Sequence, residues 1–123
     1  MSGTSYLLDT CFILGLYNGN VDALAKMAGV NLNECTVSII NEIELLGYQN
    51  INSTDEQELK ELLNHLTILG LDTAVKSKTI ELRKRHKIKL PDAIVLATAL
   101  THNVELLSLD TGLMNKYQQE IYA

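Results

Sequence analysis

The most informative stretch of this chain is Leu90-Pro91-Asp92-Ala93-Ile94-Val95-Leu96-Ala97-Thr98-Ala99-Leu100. Pro91 restarts the chain, and the residues after it predict an alanine-rich helix over Asp92–Thr101 that is buried on most faces. Acids are favoured at helix starts by the helix dipole and by free N–H groups, which is one explanation for Asp92. A carboxylate that enters a buried helix still needs a partner, and a cation would provide one.

Short apolar runs alternate with helical patterns along the chain, which is typical of an α/β domain with a parallel sheet. The 123 residues fit one domain, 1–123, and the apolar fraction of 46% is normal for a folded protein. The predicted strands are Tyr6–Leu8, Cys35–Val37, Thr67–Leu69 and Glu105–Leu107. The predicted helices are Phe12–Tyr17, Val21–Ala28, Ile39–Tyr48, Thr54 to about His65, Thr73–His86 and Asp92–Thr101.

Two helix starts and the tail carry specific signals. Ser38 is expected to cap the helix that begins at Ile39, and Thr54-Asp55-Glu56-Gln57 fits a capping box with Thr54 as the N-cap. The tail, Met114–Ala123, predicts one or two helical turns, with a final strand at Ile121-Tyr122 as an option.

The cysteine content and the absence of long apolar runs bear on the compartment. Cys11 and Cys35 form no CxxC motif and no metal-ligand spacing with a histidine, which is typical of a reduced, intracellular chain. Both are expected to be small buried hydrophobic residues. No apolar run reaches the roughly 20 residues of a membrane span, and Met1–Ser5 lack the basic region of a signal peptide. We therefore expect a cytoplasmic protein without a membrane association.

The net charge is −5, yet the basic residues are concentrated in one segment. Of the ten lysines and arginines, seven lie between positions 76 and 89: Lys76, Lys78, Arg83, Lys84, Arg85, Lys87 and Lys89. Such a cluster is most often a solvated helix face. Beside an acidic metal site it would instead hold an RNA backbone, because carboxylates repel phosphates. We expect Arg83, Lys84, Arg85 and Lys87 to contact RNA without reading its bases.

Four acidic residues stand where a metal-dependent nuclease needs them: Asp9, Glu44, Asp92 and Asp110. Asp9 and Asp110 each end an apolar run, so both would lie at the carboxyl edge of a parallel sheet, where ligands bind. Each also has a simpler explanation, Asp9 as a helix N-cap and Asp110 as part of a turn. Together the four would repel one another unless a hard divalent cation neutralised them. Thr10 could orient a neighbouring carboxylate or a metal-bound water.

The helix predicted at Ile39 offers two acids, Glu42 and Glu44. On a helical wheel the apolar arc consists of Ile39, Ile40, Ile43 and Leu46. The two glutamates flank that arc on opposite sides. Periodicity therefore leaves open which of them borders the sheet edge.

Taken in order, these segments resemble a PIN domain, and specifically a VapC-type toxin ribonuclease. The matching stretches are Tyr6–Thr10, Ser38–Gly47, Leu82–Arg85, Ile88–Ile94, Ala97–Leu100 and Leu106–Asp110. The block Leu90-Pro91-Asp92-Ala93 is the most specific of them. The resemblance covers nearly the whole chain.

The resemblance implies a PIN-like three-layer α/β/α fold whose central, mainly parallel sheet has four or five strands. It selects Glu44 over Glu42, because the family's acid follows a serine by six residues and precedes a leucine. It also implies RNA cleavage with Mg²⁺ (or Mn²⁺ as a substitute), a homodimer and a cognate antitoxin. Many relatives carry an Asp-Phe pair where this chain has Leu113-Met114. The fourth acidic corner therefore rests on Asp110, with Ser108 or Asn115 as a helper.

We therefore expect a metal-dependent endoribonuclease that is the toxin of a toxin–antitoxin pair. Asp9, Glu44 and Asp92 would hold Mg²⁺ directly or through water, and Asp110 would complete the anionic pocket. Asp92 or Asp110 would orient the attacking water. The alternative is a catalytically inactive PIN-like module that binds RNA or a partner protein.

Two other classes of protein fit the sequence less well. A phosphatase of the haloacid dehalogenase type needs an Asp-x-Asp pair, and Cys11 stands at its second acidic position. A response-regulator receiver needs two adjacent acids after the first strand and a late Lys-Pro pair, and the chain has neither.

Overall fold

Four short strands form the centre of the structure, a computed structural model that describes residues 5–122. The strands are β1 (Tyr6–Leu8), β2 (Cys35–Ser38), β3 (Thr67–Leu69) and β4 (Glu105–Leu107). They form one sheet in the order β3-β2-β1-β4, and all three neighbouring pairs are parallel. The four predicted strands are confirmed. Residues 1–4 and Ala123 lie outside the described residues. The first four belong to the segment Met1–Ser5, in which the sequence showed no signal-peptide pattern, and Ala123 ends the predicted tail.

Helices connect the strands throughout the described part of the chain. They are α1 (Thr10–Tyr17), α2 (Val21–Lys26), α3 (Ile39–Leu46), α4 (Ser53–Asn64), α5 (Thr73–Arg85), α6 (Leu90–His102) and α7 (Thr111–Ile121). A short 3-10 turn, Leu32–Glu34, leads into β2. The six helices predicted before the tail are present, with most of their ends shifted by one or two residues.

The helices cover both faces of the sheet, and strand alternation explains why. Successive strand residues point to opposite faces. Leu7 and Leu106 belong to the core cluster that α5, α6 and α7 bury on one face. Leu8 and Leu107 belong to a second cluster with residues of α1 to α4 on the other face. The fold is therefore the expected three-layer α/β/α arrangement.

The buried face of α3 differs from the apolar arc predicted for it. Asn41 and Leu45 are the buried residues of this helix, whereas Ile43 is 59% exposed and Ile39 36% exposed. Ser38 does cap the helix, since its Oγ accepts a hydrogen bond from the backbone N–H of Ile40 at 3.2 Å. The prediction was wrong because it assigned the core face by apolarity. A polar Asn41 faces inward because Thr10 provides a hydrogen-bond partner there.

Two predicted boundaries are wrong because a nearer cap was overlooked. Helix α4 is capped by Asn52, whose Oδ1 accepts a hydrogen bond from the N–H of Asp55 at 2.7 Å, so Thr54 lies inside the first turn. The tail forms the 11-residue helix α7 rather than one or two turns. Asp110 caps α7, and Leu113 and Tyr117 on one side of this helix are buried in the core. The optional strand at Ile121-Tyr122 is also wrong, since Ile121 belongs to α7.

No helix within residues 5–122 combines the length and the apolar character that crossing a membrane requires.

We expect Leu96→Ala to lower the free energy of unfolding by about 2–5 kcal/mol, because a fully buried α6 side chain would leave a cavity. The control is Ile80→Ala on α5, where the side chain is 51% exposed and its loss should cost far less. Urea unfolding followed by circular dichroism measures both. Equal losses in the two variants would contradict the assignment of Leu96 to the core between α6 and the sheet.

Candidate active site

Asp9 and Asp110 lie at the same edge of the sheet, as expected from their positions after β1 and near the end of β4. The two strands pair in parallel with Leu8 opposite Leu107, and the N–H of Asp9 donates to the carbonyl of Leu107 at 3.3 Å. The simpler explanation of Asp9 as an N-cap also holds, because its Oδ1 accepts from the N–H of Phe12 at 2.9 Å. Asp110 likewise caps α7. Each of these two aspartates can therefore cap a helix and also belong to a site at this edge of the sheet.

Asp9 is almost completely buried, with 6% of its surface exposed. Its second oxygen, Oδ2, accepts a short hydrogen bond from the hydroxyl of Ser108. The thiol of Cys11 lies 3.2 Å from Oδ1. Burial raises the pKa of Asp9 above its ordinary value, while the hydrogen bonds from Ser108 and from the Phe12 backbone lower it. Asp9 is thus a fixed carboxylate that links β1, α1 and the segment after β4.

Glu44 is held in place by a chain of hydrogen bonds. The hydroxyl of Thr10 donates to Oε1 of Glu44 at 2.6 Å, and Nδ2 of Asn41 donates to Thr10 Oγ1 at 3.0 Å. The two hydrogen bonds are compatible, because a hydroxyl that donates to a carboxylate can still accept from an amide. Asn41 is buried, and its Oδ1 has no partner within the described residues.

Asp92 occupies the first turn of α6 and is partly buried. Burial is the largest cause that raises its pKa above the ordinary value, and the charges of Asp110 and Asp9 raise it further. Glu44 adds to the rise, whereas the ammonium group of Lys89 lowers the pKa. All four acids therefore interact electrostatically at one place.

One open hollow of about 370 Å³ brings these groups together, and we call it the acidic hollow. It is lined by Asp9, Thr10, Cys11, Leu14, Asn41, Glu44, Tyr48, Asp92 and Asp110. All four acids predicted from the sequence line it, and Glu42 does not. Cys35 is buried as predicted, but Cys11 is only partly buried and lines the acidic hollow.

The donor set of the acidic hollow fits a hydrated hard cation. Carboxylate oxygens are the ligands that Mg²⁺ prefers, and this ion keeps several waters while binding one or two carboxylates. Within residues 5–122, no three acidic, histidine or cysteine side chains converge closely enough to bind an ion directly. The carboxylates surround the hollow instead, at places where water could bridge them to an ion. The unpartnered Oδ1 of Asn41 is a further acceptor for such a water.

The basic segment divides into two parts with different surroundings. Arg85 is paired with Glu81 at 3.0 Å and with Glu120 of α7, and Arg83 donates to the carbonyl of Ile88 at 3.0 Å. Lys84 and Lys87 are exposed. Lys87, together with Asp92 and Asp110, lines a second hollow next to the acidic one.

Two residues in or beside the site, Asn41 and Lys116, carried little signal in the sequence. Asn41 was hidden by the isoleucines around it, and Lys116 of α7 lies far in sequence from the other basic residues. Ser108 was expected to assist Asp110, and it does accept a hydrogen bond from the Asp110 backbone at 3.0 Å. The hydroxyl of Ser108 itself, however, donates its hydrogen bond to Asp9. Asn115 lines a separate hollow behind Ser108.

Residues 6–118 match the PIN domain family, and the chain belongs to that family. The PIN resemblance drawn from the sequence is thereby confirmed. Among curated proteins none matches this chain at a significant level.

Solved structures with the same fold come from several bacteria. One is described as a toxin–antitoxin complex from Klebsiella pneumoniae, and the similar chain in it is 30% identical, with a TM-score of 0.76 over 87% of this chain and 88% of that chain. FitAcB from Neisseria gonorrhoeae contains a chain with 23% identity and a TM-score of 0.77, covering 92% and 93%. VapBC2 from Rickettsia felis, bound to a promoter DNA fragment, contains one with 19% identity and a TM-score of 0.74, covering 90% and 91%.

We expect Asp92→Asn to weaken the binding of Mn²⁺ by roughly tenfold or more, because a negative ligand is lost from a small carboxylate set. Titration calorimetry on the apo protein measures the affinity. Glu61→Gln, on the exposed surface of α4, removes the same charge away from the acidic hollow and should leave it unchanged. Identical affinities in Asp92→Asn and the unaltered protein would remove Asp92 from the site.

Proposed function

We propose that this protein is a Mg²⁺-dependent endoribonuclease and the toxin of a toxin–antitoxin pair. The observation that carries the proposal is the convergence of Asp9, Glu44, Asp92 and Asp110 on one open hollow at the carboxyl edge of a parallel sheet. Such an edge is where α/β folds bind ligands. The raised pKa of Asp92, to which the other three acids contribute, is what a site built for a cation would have before the cation binds.

The proposed reaction is hydrolysis of an RNA phosphodiester bond, in which water adds to phosphorus and one ester P–O bond breaks. A bound Mg²⁺ would lower the pKa of a water molecule and stabilise negative charge on the phosphate; Mn²⁺ is the expected substitute. Asp9, Glu44 and Asp92 would hold the ion, with water bridging at least one of them to it, and Asp110 would complete the negative pocket.

The carboxylates of the acidic hollow would have different roles in the reaction. Both oxygens of Asp9 already accept hydrogen bonds, from Phe12 and from Ser108, so Asp9 cannot turn towards a water without losing them. Asp110 uses only Oδ1 to cap α7, at 3.1 Å from the N–H of Leu113. Asp92 and Asp110 therefore remain the two candidates to orient the attacking water, and Glu44 is fixed by Thr10 as a ligand.

RNA is the proposed substrate, and the basic segment supplies the charge to hold it. The predicted contacts are Arg83, Lys84, Arg85 and Lys87. The ion pairs of Arg85 favour a role in fastening α5 to α7, so we assign more of the RNA affinity to Lys84 and Lys87. These cations would act on the phosphate backbone in the cytoplasm, the compartment that the sequence predicts.

A cognate antitoxin is the proposed protein partner. Support comes from the compared structures, whose descriptions name a toxin–antitoxin complex and VapBC and FitAB assemblies. A basic side chain of the partner, placed in the acidic hollow, would replace the charge of the metal ion and so compete with it.

We also propose a two-fold homodimer. Of Tyr17 and Tyr48, two aromatic residues suited to an apolar interface, only Tyr48 is well exposed, at 67%. The hydroxyl of Tyr17 lies 2.6 Å from carboxylates of both Asp55 and Glu58, and its ring packs partly inside. Light scattering at micromolar concentration tests the dimer, which a monomeric mass would contradict.

Glu44→Gln should abolish RNA cleavage while Glu42→Gln leaves most of it, because only Glu44 lines the acidic hollow. Both changes keep the shape of the side chain, so melting temperatures should be nearly equal. Cleavage of a labelled RNA in Mg²⁺ measures the rates. If neither the unaltered protein nor Glu42→Gln cuts RNA in Mg²⁺ or Mn²⁺, the chain is the inactive binding module instead.

An antitoxin encoded by the neighbouring open reading frame would be expected to bind this protein and to suppress cleavage, because a basic side chain of the antitoxin would occupy the acidic hollow. Calorimetry with Mn²⁺ on the purified complex should then give a much weaker metal affinity than the free protein has. A complex that binds Mn²⁺ normally and still cuts RNA would contradict inhibition by competition.

A further inference from the structure

A second hollow, of about 210 Å³, adjoins the acidic hollow and shares Asp92 and Asp110 with it. Three lysines line it, and we call it the lysine hollow: Lys87 and Lys89 from the segment between α5 and α6, and Lys116 from α7. These lysines come from two distant parts of the sequence. The fold thus collects positive charge directly beside the site where it collects negative charge.

The three ammonium groups of the lysine hollow have no ion-pair partner among residues 5–122. Arg85, in contrast, is paired with Glu81 and Glu120, and Lys78 lies 3.6 Å from Glu81. The carboxylates that line the lysine hollow are Asp92 and Asp110, which the proposed function commits to a cation. With that cation bound, the lysines repel one another and lack a counter-charge.

The backbone around the lysine hollow also favours an anion. Lys89 is the N-cap of α6 but offers no side-chain hydrogen bond to the first turn, so the N-terminal end of the helix keeps its partial positive charge. Gly112 forms part of the wall, and a Cβ there would lie 3.3 Å from Oδ1 of Asp110, tighter than ordinary contact. Glycine at this position avoids that contact with the Asp110 carboxylate.

We propose that the lysine hollow binds the phosphate that adjoins the scissile phosphate of the RNA strand. The strand would pass from the acidic hollow, over Asp92 and Asp110, to Lys87, Lys89 and Lys116. This inference rests on the proposed function and specifies the path of its substrate. Ammonium groups act on phosphate as point charges, so the lysine hollow sets the register of the strand and contributes affinity without selecting bases.

The first test counts phosphate contacts without any cleavage. A mixed-sequence single-stranded oligoribonucleotide is titrated in the absence of divalent ions over a range of salt concentrations. In Lys89→Met and in Lys116→Met the slope of log affinity against log salt should become flatter by about 0.7 for each lysine removed. The matched control is Lys76→Met, an exposed lysine near the start of α5, which should keep the slope. Unchanged slopes in both variants would overturn the proposal.

The second test locates the phosphate on the strand. Methylphosphonate linkages, which are neutral, replace the phosphates of the oligoribonucleotide one at a time. One replacement next to the cleaved bond should weaken binding to the unaltered protein several-fold and have no effect on the Lys89→Met/Lys116→Met double variant. Equal losses in both proteins would place the phosphate elsewhere and overturn the assignment.

Mn²⁺ calorimetry separates this proposal from the proposed function. Removing positive charge beside Asp92 should leave the Mn²⁺ affinity of the double variant equal or higher. A lower affinity would mean that the lysines support the acidic hollow rather than the RNA, which contradicts the proposal. If the lysine variants lose RNA binding as expected but the unaltered protein never cuts RNA, the phosphate site stands and the nuclease function falls.

Discussion

The buried carboxylate of Asp9 is the contact on which the geometry of this edge depends. Its two oxygens accept hydrogen bonds from the Phe12 backbone and from Ser108, residues that belong to α1 and to the segment after β4. Asp9 and Ser108 are 99 residues apart in sequence. A charge with so little exposure is costly unless it is hydrogen-bonded, so the chain must close β1 against β4 to satisfy it. Stability and the architecture of the site are therefore linked at one side chain.

The same carboxylate limits what the remaining acids can do. Because Asp9 is fixed, Asp92 and Asp110 experience its charge in every conformation in which β1 and β4 stay paired. Burial and this charge both raise the pKa of Asp92, so the acidic hollow holds an unfavourable concentration of negative charge. Lys89 relieves part of that charge but lines a separate hollow. Among residues 5–122, the four acids and the three lysines thus lie side by side without direct ion pairs between them.

Features that depend on local composition could be predicted well from the sequence. Features that depend on contacts with residues distant in sequence were predicted less well. The strands were predicted because each is a short apolar run, and Asp9, Asp92 and Asp110 because they stand after such runs or at a helix start. Glu44 was chosen over Glu42 only by the family resemblance. The face of α3 was missed, since Ile39 and Ile43 are more apolar than the buried Asn41. Helix α7 was cut short because Asp110-Thr111-Gly112 resembles a turn, although Asp110 in fact caps the helix. Lys116 could not be grouped with Lys87 before the packing of α7 was known.

Asn41 illustrates why such residues escape prediction. A leucine in its place would satisfy the apolar pattern of α3, yet it would leave the Thr10 hydroxyl, which donates to Glu44, without the amide donor that Asn41 provides. The asparagine instead leaves its own Oδ1 unpartnered, and a buried acceptor without a partner costs about 1–3 kcal/mol. A water molecule shared with a bound cation would satisfy Oδ1 and remove the cost when the site is filled.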